Sequence, residues 1–98
     1  MNIVTLAECK DRLSIDFDTK DSDITIMANS IEGELFVETG YMLEDGIVPE
    51  VSNPLYDMAK EYVLTKLYIE YFKEQSDENE LRLRKLVKSI QLLASIPQ

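Results

Sequence analysis

Residues 5–40, which read TLAECKDRLSIDFDTKDSDITIMANSIEGELFVETG, predict two helices joined by an acid-rich elbow. Thr5 and Glu8 have capping-box spacing, in which each side chain accepts a hydrogen bond from the other residue's amide. Gly40 stands where a helix commonly ends on a left-handed residue. Between these signals, apolar residues recur at helical spacing, first at Leu6, Cys9 and Leu13 and then at Ile24, Met27, Ala28, Ile31 and Leu35. We therefore expect helices over about Leu6–Leu13 and Ser22–Glu38, with Asp21 or Ser22 as the N-cap of the second.

The second half of the chain predicts two more helices. Asn53-Pro54 combines a favoured N-cap with a favoured first helical residue, and the third helix is expected to run to about Gln75. It is apolar around most of its circumference, which indicates a central helix or one that also faces a partner chain. Asp77 and Glu80 again have capping-box spacing, and the fourth helix is expected to end near Pro97.

The connection over residues 39–53 is the longest in the chain. Its Asp45-Gly46 pair lies between apolar arms and is typical of a type I′ turn, although two strands this short are marginal alone. The sequence as a whole predicts a single all-α domain over residues 1–98. It has four helices with a long central third helix, and its pattern allows a short β-hairpin between helices two and three.

The charge is high and unevenly distributed. The chain of 98 residues carries a formal net charge of −9, and residues 1–51 hold twelve acidic side chains against Lys10, Arg12 and Lys20. Such a surface argues against phosphate-mediated binding of nucleic acid. It has two interpretations, a solvated surface that aids solubility or an acidic face presented to a partner. No apolar run is long enough for a membrane span and no basic leader precedes one, so we expect a protein that is cytosolic when made.

The residue types offer little for catalysis. The chain has no histidine, its one cysteine (Cys9) lies on an apolar helix face, and no glycine-rich phosphate loop is present. The elbow acids invite comparison with a calcium loop, but Lys20 and Met27 occupy positions where that loop requires oxygen ligands. We expect no enzyme, no catalytic residue, no cofactor and no metal.

Over most of residues 4–74 the chain resembles the head–tail connector (adaptor, or head-completion) family of tailed bacteriophages. Residues 5–24 match the opening T/S-L-x-E-x-K-x-x-L-x-I-D-x-D-x-x-D-S-x-I, and an alanine-bearing helix and a Thr-Gly pair at 39–40 follow. An arginine often follows the tyrosine near the end of the central helix in that family. Here Tyr71 is followed by Phe72 and Lys73, and the resemblance fades across the final helix.

The resemblance implies a structural virion protein at the head–tail interface, present in the host cytoplasm before assembly. Roughly a dozen copies would form a ring beneath the portal protein after DNA packaging, extend the DNA channel and receive the next head-completion or tail protein. DNA would pass through without tight binding, and no membrane is involved. The alternative from another class is a small acidic regulatory binding protein, such as a DNA-mimic inhibitor or an antirepressor.

Two sets of residues are candidates for these contacts. Acids of the 39–53 connection would make a repulsive wall for DNA, which suits rapid passage. The candidate channel-facing residues are Glu44, Asp45 and Glu50. A ring requires each subunit to join two different faces, and tyrosine suits such interfaces. The candidate subunit-interface residues are Tyr68, Phe72, Arg82 and Lys85.

Overall fold

The structure, a computed structural model, describes residues 3–41, 53–74 and 76–94. These residues form four helices and no strand, which confirms the all-α prediction. The helices are α1 (Leu6–Leu13), α2 (Asp21–Thr39), α3 (Pro54–Phe72) and α4 (Asp77–Ala94). The predicted hairpin lies outside the described residues except for Tyr41, and so do Glu44, Asp45 and Glu50.

Helix α1 begins and ends as its sequence predicts. The Thr5 hydroxyl accepts a hydrogen bond from the Glu8 amide at 3.1 Å, and the Glu8 carboxylate accepts one from the Thr5 amide at 2.9 Å. The helix ends at Ser14, which adopts a left-handed conformation with φ of 58°. This reciprocal cap satisfies two backbone donors that a helix start otherwise leaves unpaired.

Helix α2 extends one residue beyond the predicted span at each end. The predicted N-cap is wrong: Lys20 occupies that position without a side-chain cap, and Asp21 is already helical. Asp21 instead lies 3.0 Å from the Lys10 ammonium of α1, so its carboxylate is used in an ion pair and not in a cap. At the other end Gly40 has φ of 75° and donates its amide to the Phe36 carbonyl at 2.7 Å.

Helix α3 begins where predicted but ends earlier. The Asn53 side chain accepts hydrogen bonds from the Leu55 and Tyr56 amides at 3.0 and 3.3 Å. The helix ends at Phe72, short of the expected Gln75, because Lys73 turns into the left-handed region with φ of 55°. The long central third helix is not confirmed, since α2 and α3 both have 19 residues.

The central position is shared by two helices. Both α2 and α3 pack against every other helix, whereas α1 and α4 do not pack against each other. The start of α4 also differs by one residue from the expectation. Ser76 is the capping residue, and its hydroxyl accepts a hydrogen bond from the Asn79 amide at 3.2 Å, which places Asp77 inside the first turn.

The core lies between α2 and α3. Helix α2 buries one stripe against it, formed by Ile24, Ala28, Ile31 and Leu35. Cys9 of α1 is completely buried, as expected, and burial together with the nearby Glu8 and Glu32 carboxylates raises the pKa of its thiol to about 11. Helix α4 contributes Ile90 as a buried side chain. None of the helices in the described part of the chain is long and apolar enough to cross a bilayer.

Candidate functional site: the charged and apolar surfaces

Part of the acidic excess is used inside the molecule. Glu8 of α1 pairs with Lys60 of α3 at 2.7 Å, and Glu34 of α2 pairs with Lys66 of α3. Burial acts to raise the pKa of Glu8, but its hydrogen bonds with Lys60 and Thr5 outweigh burial and leave that pKa lowered. These acids join the first half of the chain to α3, so they are not available as an outward-facing array.

Glu61 of α3 connects the two helices that do not pack together. Its carboxylate accepts hydrogen bonds from both terminal nitrogens of Arg12 in α1, at 3.2 and 2.9 Å, and one from Arg82 in α4 at 2.6 Å. The hydrogen bond from Arg12 is the main reason why the pKa of Glu61 is lowered, and the charge of Arg82 adds to it. We call these three residues the Glu61 clasp.

The acid-rich elbow is held by one cation. The Lys10 ammonium lies 2.8 Å from the Asp18 carboxylate and 3.0 Å from that of Asp21. Hydrogen bonds with both acids raise the pKa of Lys10. Lys10 thus links α1 to the elbow and to the first residue of α2. Within the described ranges, no three acidic or cysteine side chains converge as a metal site.

The candidate interface residues fall into two neighbouring groups. The Tyr68 and Phe72 rings are in contact, with centroids 4.9 Å apart, and are 36% and 42% exposed. Tyr68 and Arg82 line the same shallow depression between α3 and α4. Lys85 is exposed one turn beyond Arg82, and both line another depression along α4. The fold therefore brings Tyr68 close to both Phe72 and Arg82, although Arg82 already binds Glu61.

A second exposed apolar surface, on α2, is absent from the sequence-based candidates. Ile26 is 67% exposed and Val37 is 83% exposed, both on the side opposite the buried stripe. Their separation of three helical turns is visible in the sequence. The sequence-based prediction does not use this spacing, because the buried stripe alone is sufficient to predict the helix. That stripe consists of Ile24, Ala28, Ile31 and Leu35.

An open groove runs between the end of α2, α3 and α4. Its lining includes Tyr62, Lys66, Arg84 and Lys88, and at one end the Gln91 amide donates to the Glu38 carbonyl at 2.8 Å. The buried Tyr62 hydroxyl donates to the Glu38 carboxylate at 3.3 Å and accepts from Lys66 at 3.4 Å. These contacts join the helices to one another, and they account for the polar side chains at the groove's base.

Comparison with known proteins finds no matching family model, no similar curated protein and no similar solved structure. The case for a function therefore rests on the residues and their geometry.

Proposed function

We propose that this chain is a ring-forming head–tail connector protein of a tailed bacteriophage, with no enzymatic activity. The observation that carries the proposal is the opening motif at residues 5–24, because its residues act together in the fold. Thr5 and Glu8 cap α1, and Lys10 binds Asp18 and Asp21 across the elbow. The motif thus supplies contacts that build the α1–elbow–α2 unit, the first part of the region over residues 4–74 that resembles the family.

The exposed apolar side chains support an assembling protein. Large apolar residues are exposed on α2, α3 and α4, and they offer apolar surface that a second copy could cover. In the proposed virion, copies of the chain form a ring between portal and tail, with α3, which has the most buried residues of the described helices, as the main scaffold of each subunit. Glu44, Asp45 and Glu50 would face the channel and repel the passing DNA.

A small acidic regulator is the second candidate. Helix α2 has five acidic residues and no basic one, which is the feature that favours it. A DNA mimic needs its carboxylates outward and spaced like phosphates, whereas Glu8, Glu34 and Glu61 are bound by basic side chains of the same chain. The internal pairing makes the mimic the weaker proposal.

Electron microscopy of the purified protein mixed with purified portal rings tests the proposal. The expected result is a second ring of density stacked on the portal, with the symmetry of the ring it extends. A triple variant, Glu44→Lys with Asp45→Lys and Glu50→Lys, should still add this ring but should retain DNA in a salt-sensitive manner. Absence of the ring, together with salt-sensitive binding to a basic protein in a one-to-one complex, would favour the regulator.

A further inference from the structure

Helix α2 has a second stripe of side chains, directly opposite its buried one. The two stripes share the spacing i, i+4, i+7, i+11 and are offset by two residues, or about 200° around the helix. All residues of the second stripe are exposed. We call it the α2 outer stripe; it consists of Ile26, Ser30, Gly33 and Val37.

No described residue elsewhere in the chain packs closely against Gly33, which lies at the centre of this stripe. Apart from the neighbouring backbone of α2, a methyl group added at its Cα would meet no atom of the described residues within 4 Å, and its backbone is ordinary helix. Glycine inside a helix is unfavourable relative to alanine because its unfolded backbone has more freedom to lose. Close packing within the described part of the domain therefore does not require Gly33. Its small size would instead let another chain approach α2 closely.

Helix α4 has an outer stripe with the same spacing. It faces away from the buried Ile90, and its residues are all exposed. We call it the α4 outer stripe; it consists of Leu81, Lys85, Lys88 and Leu92. Each stripe therefore has a large apolar side chain at either end, separated by 11 residues or about 16 Å. Between these ends, α2 has small residues and α4 has two long basic side chains.

The charges of the two helices are complementary. Helix α2 has five acids and no base, and it keeps an acidic excess although Asp21 and Glu34 are offset by Lys10 and Lys66 of the same chain. Helix α4 from Leu81 onward has no acid and four bases, of which Arg82 is bound by Glu61. No carboxylate in the described ranges forms an ion pair with Arg84, Lys85 or Lys88. Packing α2 against α2 of another copy, or α4 against α4, would bring like charges together. Packing α2 against α4 brings opposite charges together.

We propose that the α2 outer stripe of one copy binds the α4 outer stripe of a second copy. Ile26 and Val37 would pack against the apolar ends of the α4 outer stripe. Between these ends, Lys85 and Lys88 would extend over the small residues around Gly33 toward acidic side chains of α2. Such a contact joins two different faces, so each copy retains one face of each kind and the assembly grows until it closes. As the subunit contact of a ring, this inference rests on the proposed function.

Mixing two variants that block opposite faces tests the contact. Val37→Arg puts a cation on the α2 outer stripe, and Leu81→Glu puts an acid on the α4 outer stripe. Each variant alone should self-associate at least about tenfold more weakly than the wild type, as measured by sedimentation velocity. An equimolar mixture should form a one-to-one dimer, because each variant retains the face that the other needs.

Two controls keep this test interpretable. Phe17→Glu changes an apolar side chain of similar exposure, 48%, that lies on the elbow and outside both stripes, so it should associate like the wild type. Leu81 is 53% exposed and therefore still partly packed, so Lys88→Glu serves as a second α4 variant if Leu81→Glu lowers the melting temperature. Its mixture with Val37→Arg should also give the dimer.

Several results would overturn the contact. They are a mixture that remains monomeric, a Leu81→Glu protein that still dimerises through α2 alone, or a wild type that is monomeric up to about 1 mM. If the wild type and both variants form rings on the portal equally well, the contact is wrong and the connector function stands. The mixed dimer without any ring on the portal would support the contact and reject the connector function.

Discussion

At the scale of single residues, Cys9 is a packing residue with an unreactive thiol. Its side chain is completely buried, and its pKa of about 11 leaves almost no thiolate at pH 8. We expect the native protein not to react with a thiol-specific reagent at pH 8 on the timescale of free cysteine, and to react fully in urea. Absorbance of the released chromophore measures this. Native reaction as fast as that of a free thiol would contradict the buried placement.

Glu61 makes stability depend on pH through the Glu61 clasp. Its pKa is lowered in the folded protein, so its contribution is present above the unfolded value of about 4.5 and is lost as pH falls through the folded value. Glu61→Gln should lower the free energy of unfolding by about 1 kcal/mol at pH 7, because Arg12 and Arg82 lose their shared anion while remaining partly solvated. Urea titrations from pH 7 to pH 3 should show the difference from wild type shrinking below about pH 4.5.

Glu70 provides a control of opposite sign for this experiment. Burial and the nearby Glu34 carboxylate raise its pKa, so its charged form is less favourable in the folded state. Glu70→Gln should therefore not lower stability at pH 7, and its difference from wild type should also disappear in acid. If Glu61→Gln and Glu70→Gln behave alike, general charge and not the clasp governs the acid response.

At the scale of helices, replacement by alanine should change stability in opposite directions at Gly33, inside α2, and at Gly40, its C-terminal cap. Gly33 is helical, and the described residues leave open space for a Cβ there, so Gly33→Ala should stabilise the monomer by about 0.5–1 kcal/mol. Gly40 has φ of 75°, so Gly40→Ala should destabilise it by about 1–2 kcal/mol. Chemical denaturation of both variants at low protein concentration measures the two signs. A loss of stability in Gly33→Ala would mean that the glycine is needed within the domain.

The helices were largely predictable because their signals are local. Thr5 with Glu8, Asn53 with Pro54, and Gly40 are capping patterns that need only neighbouring residues, and each acts as expected. One wrong prediction concerns competition from a distant residue. Asp21 looks like an N-cap in sequence, but Lys10 binds its carboxylate from the preceding helix.

The candidate interface was less predictable than the fold. Tyr68 and Phe72 are candidates because aromatic residues stand out on a long apolar helix, and the structure shows that both are partly exposed. The pairing of Arg82 with Glu61 spans 21 residues and depends on how α4 lies against α3, which no local pattern specifies. The exposure of Ile26 and Val37 likewise depends on which face of α2 meets the core.

At the scale of the whole molecule, burial is distributed unequally between the helices. Helix α3 has eight buried residues, whereas Ile90 is the one buried side chain in the described part of α4. We expect native-state hydrogen exchange to show α4 amides opening at a lower free energy than α3 amides, because fewer apolar contacts are lost. Added partner or high protein concentration should slow exchange in α4 more than in α3. Equal protection of both helices in the monomer would contradict this prediction.

Helix α2 has two opposite stripes with the same spacing, and only one of them lies in the native core. Rotation of the helix by about 200° would place its outer stripe in the core at the same spacing as the native stripe. Gly33 would then replace Ile31 and leave a cavity costing about 2–5 kcal/mol or more. Gly33, although it lies on the outside of the native protein, thus disfavours the fold with α2 rotated. Replacing Gly33 with a larger residue would reduce the free-energy difference between the native fold and the fold with α2 rotated.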